Sequence, residues 1–132
     1  MSEDNSLDEL REKKKQELVE NETSADAPSE PIHVDGQQEL DDAVEQYDVV
    51  LTDFYADWCG PCKMLEPIVE SLAEETDAAV AKVDVDANQG LARQFGVQGV
   101  PTLVLFADGQ QAEQMVGVQQ KDALAQTIEQ YS

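Results

Sequence analysis

From residue 31 onward, the spacing of apolar residues alternates between the period of a strand and that of a helix. The segment 37–47 (QQELDDAVEQY) has apolar residues at helical spacing, whereas 49–55 (VVLTDFY) is a mostly apolar run of strand length. Such a run is typical of a strand that is buried on both faces. A short apolar stretch at 31–34 (PIHV) precedes both, so the pattern predicts strand, helix and strand, the order of a parallel crossover.

The second half of the chain continues this alternation. It predicts a long helix at 59–76 with Pro67 as a kink, a strand at 78–86, a short helix at 90–96, a hairpin at 102–117 and a final helix at 122–131. The hairpin is indicated by DGQ, which lies between two strand-like runs. The predicted fold class is therefore α/β, with a mixed central β-sheet and helices on both faces.

Residues 1–30 differ in kind from the rest of the chain. The segment 6–20 can form a helix that begins with a capping box between Ser6 and Glu9, although it has few apolar residues to bury. The segment NETSADAPSEP after it has the composition of a flexible linker. We therefore expect an N-terminal extension at 1–30 and one domain at 31–132.

Composition and charge narrow the class of protein. A chain of 132 residues with 41% hydrophobic residues can fill one core. The chain has no apolar run of about 18 residues, and its polar, acidic start is unlike a secretory signal, so we expect a cytoplasmic location. A net charge of -21 argues against binding to nucleic acids or anionic membranes.

The distribution of charge points to a salt-rich environment. Four of the eight basic residues lie between positions 11 and 15, which leaves 4 basic and 19 acidic residues for 31–132. Self-repulsion on this scale destabilises a compact fold at ordinary ionic strength, and proteins of halophiles are known to carry a large net charge. We favour an extreme halophile as the source; the alternative is an acidic cytosolic protein that its charge keeps in solution.

The only two cysteines, Cys59 and Cys62, follow the only tryptophan, Trp58, where a predicted strand gives way to a helix. The amide groups and dipole of a helix N-terminus stabilise the thiolate form of Cys59. Cys62 lies one turn on and faces the same side, Gly60 gives room, and Pro61 fits the first turn. The two sulfurs can therefore form and break a small ring, with Cys59 as the attacking thiolate and Cys62 as the resolving thiol.

Two other interpretations of the cysteine pair are less favourable. A zinc site normally needs four ligands, and the chain offers two cysteines and one distant histidine, His33, so we expect no metal. A structural disulfide is disfavoured by a reducing cytosol, and so small a loop would constrain the unfolded chain little.

Three motifs in the segment 31–132 resemble those of the thioredoxin family. WCGPCK at 58–63 is similar to the active-site motif of the family, GVPT at 99–102 to its second hallmark, and GV at 117–118 to the third loop beside the site. In the family the proline of the second motif, here Pro101, is cis and faces the disulfide. Residues 1–30 lie outside the resemblance.

Two further segments support the resemblance and add site residues. DFYA at 53–56 places Asp53 at the buried acid of the family, and AKVDVD at 81–86 places Lys82 at the lysine near that acid, which it would tune. Tyr55 departs from the tryptophan that some members have. A carboxyl buried behind the cysteines would have a raised pKa, so Asp53 is expected to accept the proton that Cys62 loses.

The resemblance implies a thioredoxin fold and a thiol-disulfide oxidoreductase that reduces protein disulfides by dithiol-disulfide exchange. Such an oxidoreductase needs no cofactor, because the cysteine pair is the redox group. The implied partners are proteins with disulfides and a thioredoxin reductase, and we expect a monomer. An apolar groove for the substrate is expected from Trp58, Gly60, Pro61, Val100, Pro101 and Gly117.

Other activities within the same fold remain as alternatives. Some thioredoxin-like domains are non-catalytic binding or chaperone modules, but these often lack one or both cysteines, and this chain has both. A disulfide isomerase or oxidase is the enzymatic alternative. Such proteins are exported and commonly have a histidine between the cysteines, whereas this chain has Gly60 and Pro61 there.

Overall fold

The computed structural model describes residues 27–132, so the predicted helix at 6–20 lies outside the described residues. The elements are β1 (Ile32–His33), α1 (Gln37–Gln46), β2 (Val49–Tyr55), α2 (Gly60–Glu75), β3 (Ala79–Asp84), α3 (Gln89–Gln94), β4 (Thr102–Ala107), β5 (Gln110–Val116) and α4 (Lys121–Tyr131). They form one sheet in the order β1-β3-β2-β4-β5. β1, β3 and β2 are parallel, while β4 is antiparallel to both β2 and β5, so the predicted mixed sheet is confirmed.

The central strand β2 is buried on both faces, as its apolar run predicts. Leu51 faces a core that α2 and α4 complete, and Val50 and Phe54 face a second core that α1 and α3 complete. The packing thus confirms helices on both faces of the sheet. Full burial of a valine, leucine or phenylalanine side chain contributes about 1.5–3 kcal/mol to the free energy of folding. The two cores therefore hold β2 firmly in the centre of the sheet.

The first strand is shorter than predicted. β1 has two residues, paired with β3 at Ile32↔Ala81 and His33↔Lys82, whereas the sequence predicted a strand at 31–34. The amide of Val34 still donates to the carbonyl oxygen of Lys82, at 2.9 Å. The chain then leaves the sheet edge, because Gly36 has φ 92° and α1 begins at the next residue.

The turn between β4 and β5 has the geometry that its sequence predicts. Asp108 and Gly109 have φ values of 53° and 84°. Positive φ at both central residues is the feature of the tight turns that match the twist of a β-hairpin, and Asp-Gly is a favoured pair there. The hairpin brings Val116, at the end of β5, next to Thr102, at the start of β4.

No helix within residues 27–132 is long and apolar enough to cross a membrane.

The helices carry much of the negative charge of the domain. Ten of the 19 acidic residues of 31–132 are on three helices: Glu39, Asp41, Asp42 and Glu45 of α1, Glu66, Glu70, Glu74 and Glu75 of α2, and Asp122 and Glu129 of α4. Among the described residues, two of these four basic residues form ion pairs, Lys82 with Glu66 and Lys121 with Glu75. The remaining carboxylates repel one another over about 30 Å at 0.01 M salt but only over about 3 Å at 1 M.

We predict that KCl stabilises the fold. The melting temperature, followed by circular dichroism, should rise from 0.01 M to about 3 M KCl, with most of the rise below about 1 M, where the screening length falls most. Each kcal/mol of relieved repulsion corresponds to roughly 4–8 °C for a domain of about 100 residues. A variant with Glu70→Gln and Glu74→Gln should show a smaller rise. A flat or falling melting temperature in the unsubstituted protein would contradict this account.

Candidate active site

The two cysteines lie where β2 leads into the N-terminus of α2. Cys59 is the N-cap residue, Pro61 is in the first turn, and a disulfide joins Cys59 to Cys62. The amide of Cys62 donates a hydrogen bond to Sγ of Cys59, at 3.1 Å. In the reduced protein, this N–H and the helix dipole would both stabilise a negative charge on the Cys59 sulfur.

The disulfide is largely enclosed, whereas Trp58, Gly60 and Pro61 next to it are open to solvent. Cys59 and Cys62 are 4% and 6% exposed and pack with Ala56, and Tyr55, Val85 and Val100 surround them. Trp58, in contrast, is 71% exposed, and Gly60 and Pro61 are exposed as well. A partner could therefore approach the sulfurs along an exposed surface next to them.

The loop that contains Val100 lies beside the disulfide, and a second loop is bonded to it. The Val100–Pro101 peptide bond is cis, and the carbonyl oxygen of Val100 is 3.7 Å from Sγ of Cys59. The amide of Gly117 donates to the carbonyl oxygen of Pro101, at 2.8 Å. This bond joins the loop at 117–118 to the loop at 99–102. Gly117 has φ 90°, a conformation that residues with a side chain rarely adopt. The structure thus places Val100 next to Cys59 and joins Pro101 to Gly117 through the backbone.

The exposed indole of Trp58 is held by a residue that the sequence analysis missed. Its Nε1–H donates to Oδ2 of Asp86, at 2.9 Å. Asp86 lies just after β3, 28 residues further along the chain, so neither periodicity nor a local motif could have indicated the pair. The contact fixes the orientation of the ring at the edge of the site.

Asp53 is buried in β2 and has an incompletely satisfied carboxyl group. It is 1% exposed, and its Oδ1 has no hydrogen-bond partner in the described part of the chain. The pKa of Asp53 is raised from 3.8 to about 6: burial raises it most, the charge of Lys82 lowers it, and that of Glu66 raises it. A carboxyl with this pKa can take up and release a proton near neutral pH.

Lys82 is beside Asp53 in the sheet, but its ammonium group is paired elsewhere. The two residues are opposite one another in the parallel register of β2 and β3. The Lys82 Nζ is 3.2 Å from Oε2 of Glu66 and 4.6 Å from the centre of the Tyr55 ring. The sequence analysis missed Glu66, although it follows Cys62 by four residues and so lies on the same side of α2.

The structure gathers no metal-ligand set in the part of the chain that it describes. Within residues 27–132, no three His, Cys, Asp or Glu side chains are grouped to hold a metal ion. His33 lies on β1, opposite Lys82 in the register.

Comparison with known proteins identifies the family. The thioredoxin family model matches residues 31–130. A mutant thioredoxin from Halobacterium salinarum NRC-1 has a similar solved structure, with a TM-score of 0.78, 68% identity, and coverage of 80% of this chain and 93% of that one. Thioredoxin from Chlamydia trachomatis is 43% identical over 98 residues, or 74% of this chain and 95% of the relative. Thioredoxin from Mycobacterium tuberculosis H37Rv is 52% identical over 81 residues, or 60% and 70%.

These similarities and the Cys59–Cys62 disulfide together establish the activity as thiol-disulfide oxidoreduction, that of a protein-disulfide reductase. The family uses the cysteine disulfide in place of a cofactor, and membership implies protein substrates with disulfides and a reductase as partners. The matched segment is also the segment that forms the sheet, its helices and the site, and on this basis the chain belongs to the thioredoxin family.

Proposed function

We propose that this protein reduces disulfides of other proteins with Cys59 as the nucleophile and Cys62 as the resolving thiol. The observation that carries the assignment is the position of Cys59 at the N-cap of α2, where its sulfur accepts the Cys62 amide. Cys62 is in the first turn of the same helix and within disulfide-bonding reach of Cys59, so it is suited to attack Sγ of Cys59 once that sulfur is bound to the substrate.

The exchange proceeds in two displacements. The Cys59 thiolate attacks one sulfur of the substrate disulfide, that bond breaks, and the substrate sulfur that leaves takes a proton as the mixed disulfide forms. Cys62 then loses its proton and attacks Sγ of Cys59, which releases the second substrate thiol. Two electrons have passed to the substrate, and the Cys59–Cys62 disulfide remains. A thioredoxin reductase would restore the dithiol.

Asp53 is the proposed acceptor of the Cys62 proton. Its burial and its pKa of about 6 support this role, because a carboxyl group with a raised pKa becomes, once ionised, a stronger base than an exposed one. Lys82 tunes Asp53 as the neighbouring positive charge.

We infer that the exposed surface around the disulfide binds an extended segment of the substrate. Trp58 and Val116 are 71% and 69% exposed, which is unusual for large apolar side chains. The groove would be lined by the predicted set Trp58, Gly60, Pro61, Val100, Pro101 and Gly117. Apolar contacts of this kind are not weakened by the salt that screens long-range charge attraction.

We further propose that the protein works in the salt-rich cytoplasm of an extreme halophile. The support is the excess of 19 acidic over 4 basic residues in 31–132, together with the similarity to a thioredoxin from Halobacterium salinarum. The proposed active unit is a monomeric domain at 31–132, with residues 1–30 as an extension. The family match at 31–130 supports this division.

The assignment of the two cysteines predicts which variant traps substrates. Cys62→Ser should accumulate mixed disulfides through Cys59, because the first displacement occurs and the second does not. Cys59→Ser should trap almost none. The measurement is non-reducing electrophoresis and mass spectrometry after incubation with a disulfide-containing protein. Equal trapping by both variants would reject the assigned roles.

The role of Asp53 predicts opposite effects of Asp53→Asn on stability and rate. The folded-state pKa of Asp53 is about 6, above the ordinary value of 3.8. The carboxyl therefore costs nothing well below pH 3.8 and destabilises the oxidised fold increasingly from pH 3.8 to about 6, because the unfolded chain releases this proton first. The free energy of unfolding of the variant, relative to that of the unsubstituted protein, should therefore rise by about 3 kcal/mol from pH 3 to pH 8. Disulfide exchange near pH 7 should slow by about 10-fold or more.

Urea unfolding of the oxidised protein and exchange with a disulfide peptide measure the two effects. Asp48→Asn, an exposed substitution just before β2, is the control and should leave both nearly unchanged. An exchange rate that Asp53→Asn leaves unaltered between pH 6 and 8 would return Asp53 to a purely structural role.

A further inference from the structure

The ammonium group of Lys82 is a buried charge with two partners. Lys82 is 7% exposed, and its side chain is on the face of the sheet that α2 covers. A buried charge is costly unless other groups compensate it. Here the compensation comes from the Glu66 carboxylate at 3.2 Å and the face of the Tyr55 ring at 4.6 Å.

Asp53 is the neighbour of Lys82 in the sheet, but in the described part of the chain the Lys82 ammonium group donates no hydrogen bond to it. It is opposite Lys82 in the strand register, yet its Oδ1 has no hydrogen-bond partner among the described residues. Two carboxylates from different elements therefore flank one cation, and the ion pair forms with the one on α2. Glu66 is on the same helix as Cys62, one turn further on.

We propose that Glu66 is a positioning residue for disulfide exchange: it holds the Lys82 ammonium on the α2 side, so that the Asp53 carboxyl stays unpaired and ready to take a proton. This inference rests on the proposed role of Asp53 as the proton acceptor. Glu66 touches neither the substrate nor the sulfurs in this account; it acts through Lys82.

The other charged and titratable groups on the elements around Asp53 are Tyr55 of β2, Asp57 just after it, Asp84 of β3 and, in the reduced protein, Cys62 of α2, whereas His33 of β1 is opposite Lys82. The charges that shift the pKa of Asp53 are those of Lys82 and Glu66, so none of these other groups takes the place of Glu66. β4 places Leu103 opposite Asp53 and has no titratable residue in its sequence TLVLFA. Lys82 is therefore the positive charge set directly against Asp53 in the sheet.

Removal of the Glu66 charge changes the environment of Asp53 in two ways that act in the same direction. The negative charge of Glu66, which favours the protonated form of Asp53, is lost. The Lys82 ammonium group is then also free to move toward Asp53, and a positive charge close to a carboxyl group favours its ionised form. The Asp53 carboxyl of Glu66→Gln should therefore release its proton at lower pH.

The test is a titration of the Asp53 carboxyl by ¹³C NMR in the oxidised full chain, which requires no turnover. In Glu66→Gln the midpoint should move to lower pH by about one unit. Glu75→Gln is the matched control: it makes the same charge change on the same helix and breaks the other ion pair, that with Lys121. The control should move the midpoint by no more than about 0.2 unit, because Glu75 is about 14 Å further along α2 than Glu66 and its charge is screened over that distance. Glu66→Asp, which retains the charge, should lie between Glu66→Gln and the unsubstituted protein.

A midpoint that Glu66→Gln leaves within the shift of the control, or moves to higher pH, would overturn the inference. The pH profile of disulfide exchange is the second readout, and its inflection should move with the titration midpoint. A titration that moves while the exchange profile does not would overturn the link between Glu66 and catalysis, and would locate the failure in the role proposed for Asp53.

Discussion

An ionisable carboxyl in the middle of a β-sheet is the constraint on which this structure depends. Asp53 is in the central strand and is 1% exposed, and its ionisation is opposed by burial enough to raise its pKa to about 6. Buried positions in the middle of a sheet are ordinarily occupied by apolar side chains. The fold can tolerate it because complete cores pack against both faces of β2, and because Lys82 partly offsets the negative charge.

The helix α2 links this carboxyl to the redox chemistry. Its first residues hold the disulfide, with Sγ of Cys59 in the N-cap position. Its inner face, formed by Leu65, Val69 and Leu72, fixes the helix on the sheet face that also carries Asp53. Glu66, on the same helix, forms the ion pair with Lys82. A shift of α2 would therefore disturb the thiol site, the core and the environment of Asp53 together.

Most of the fold could be predicted from local sequence, because local rules dictate it. The apolar run at 49–55 is the observed β2, and the Asp108-Gly109 turn forms the predicted hairpin. The edge strand β1 is shorter than its apolar stretch, since the chain turns away at Gly36. The contacts of Trp58 with Asp86 and of Lys82 with Glu66 join side chains 28 and 16 residues apart. Periodicity carries no information about such pairs, which depend on how the helices pack. The roles of the individual site residues stay predictions.

The most direct test of the central claim, that the Cys59–Cys62 pair reduces protein disulfides, is the reduction of insulin by dithiothreitol in molar KCl, followed by turbidity. The account predicts that a catalytic amount of the protein makes insulin precipitate well before it does with dithiothreitol alone, and that Cys59→Ser abolishes this acceleration. No acceleration by a protein that circular dichroism shows to be folded would contradict the account.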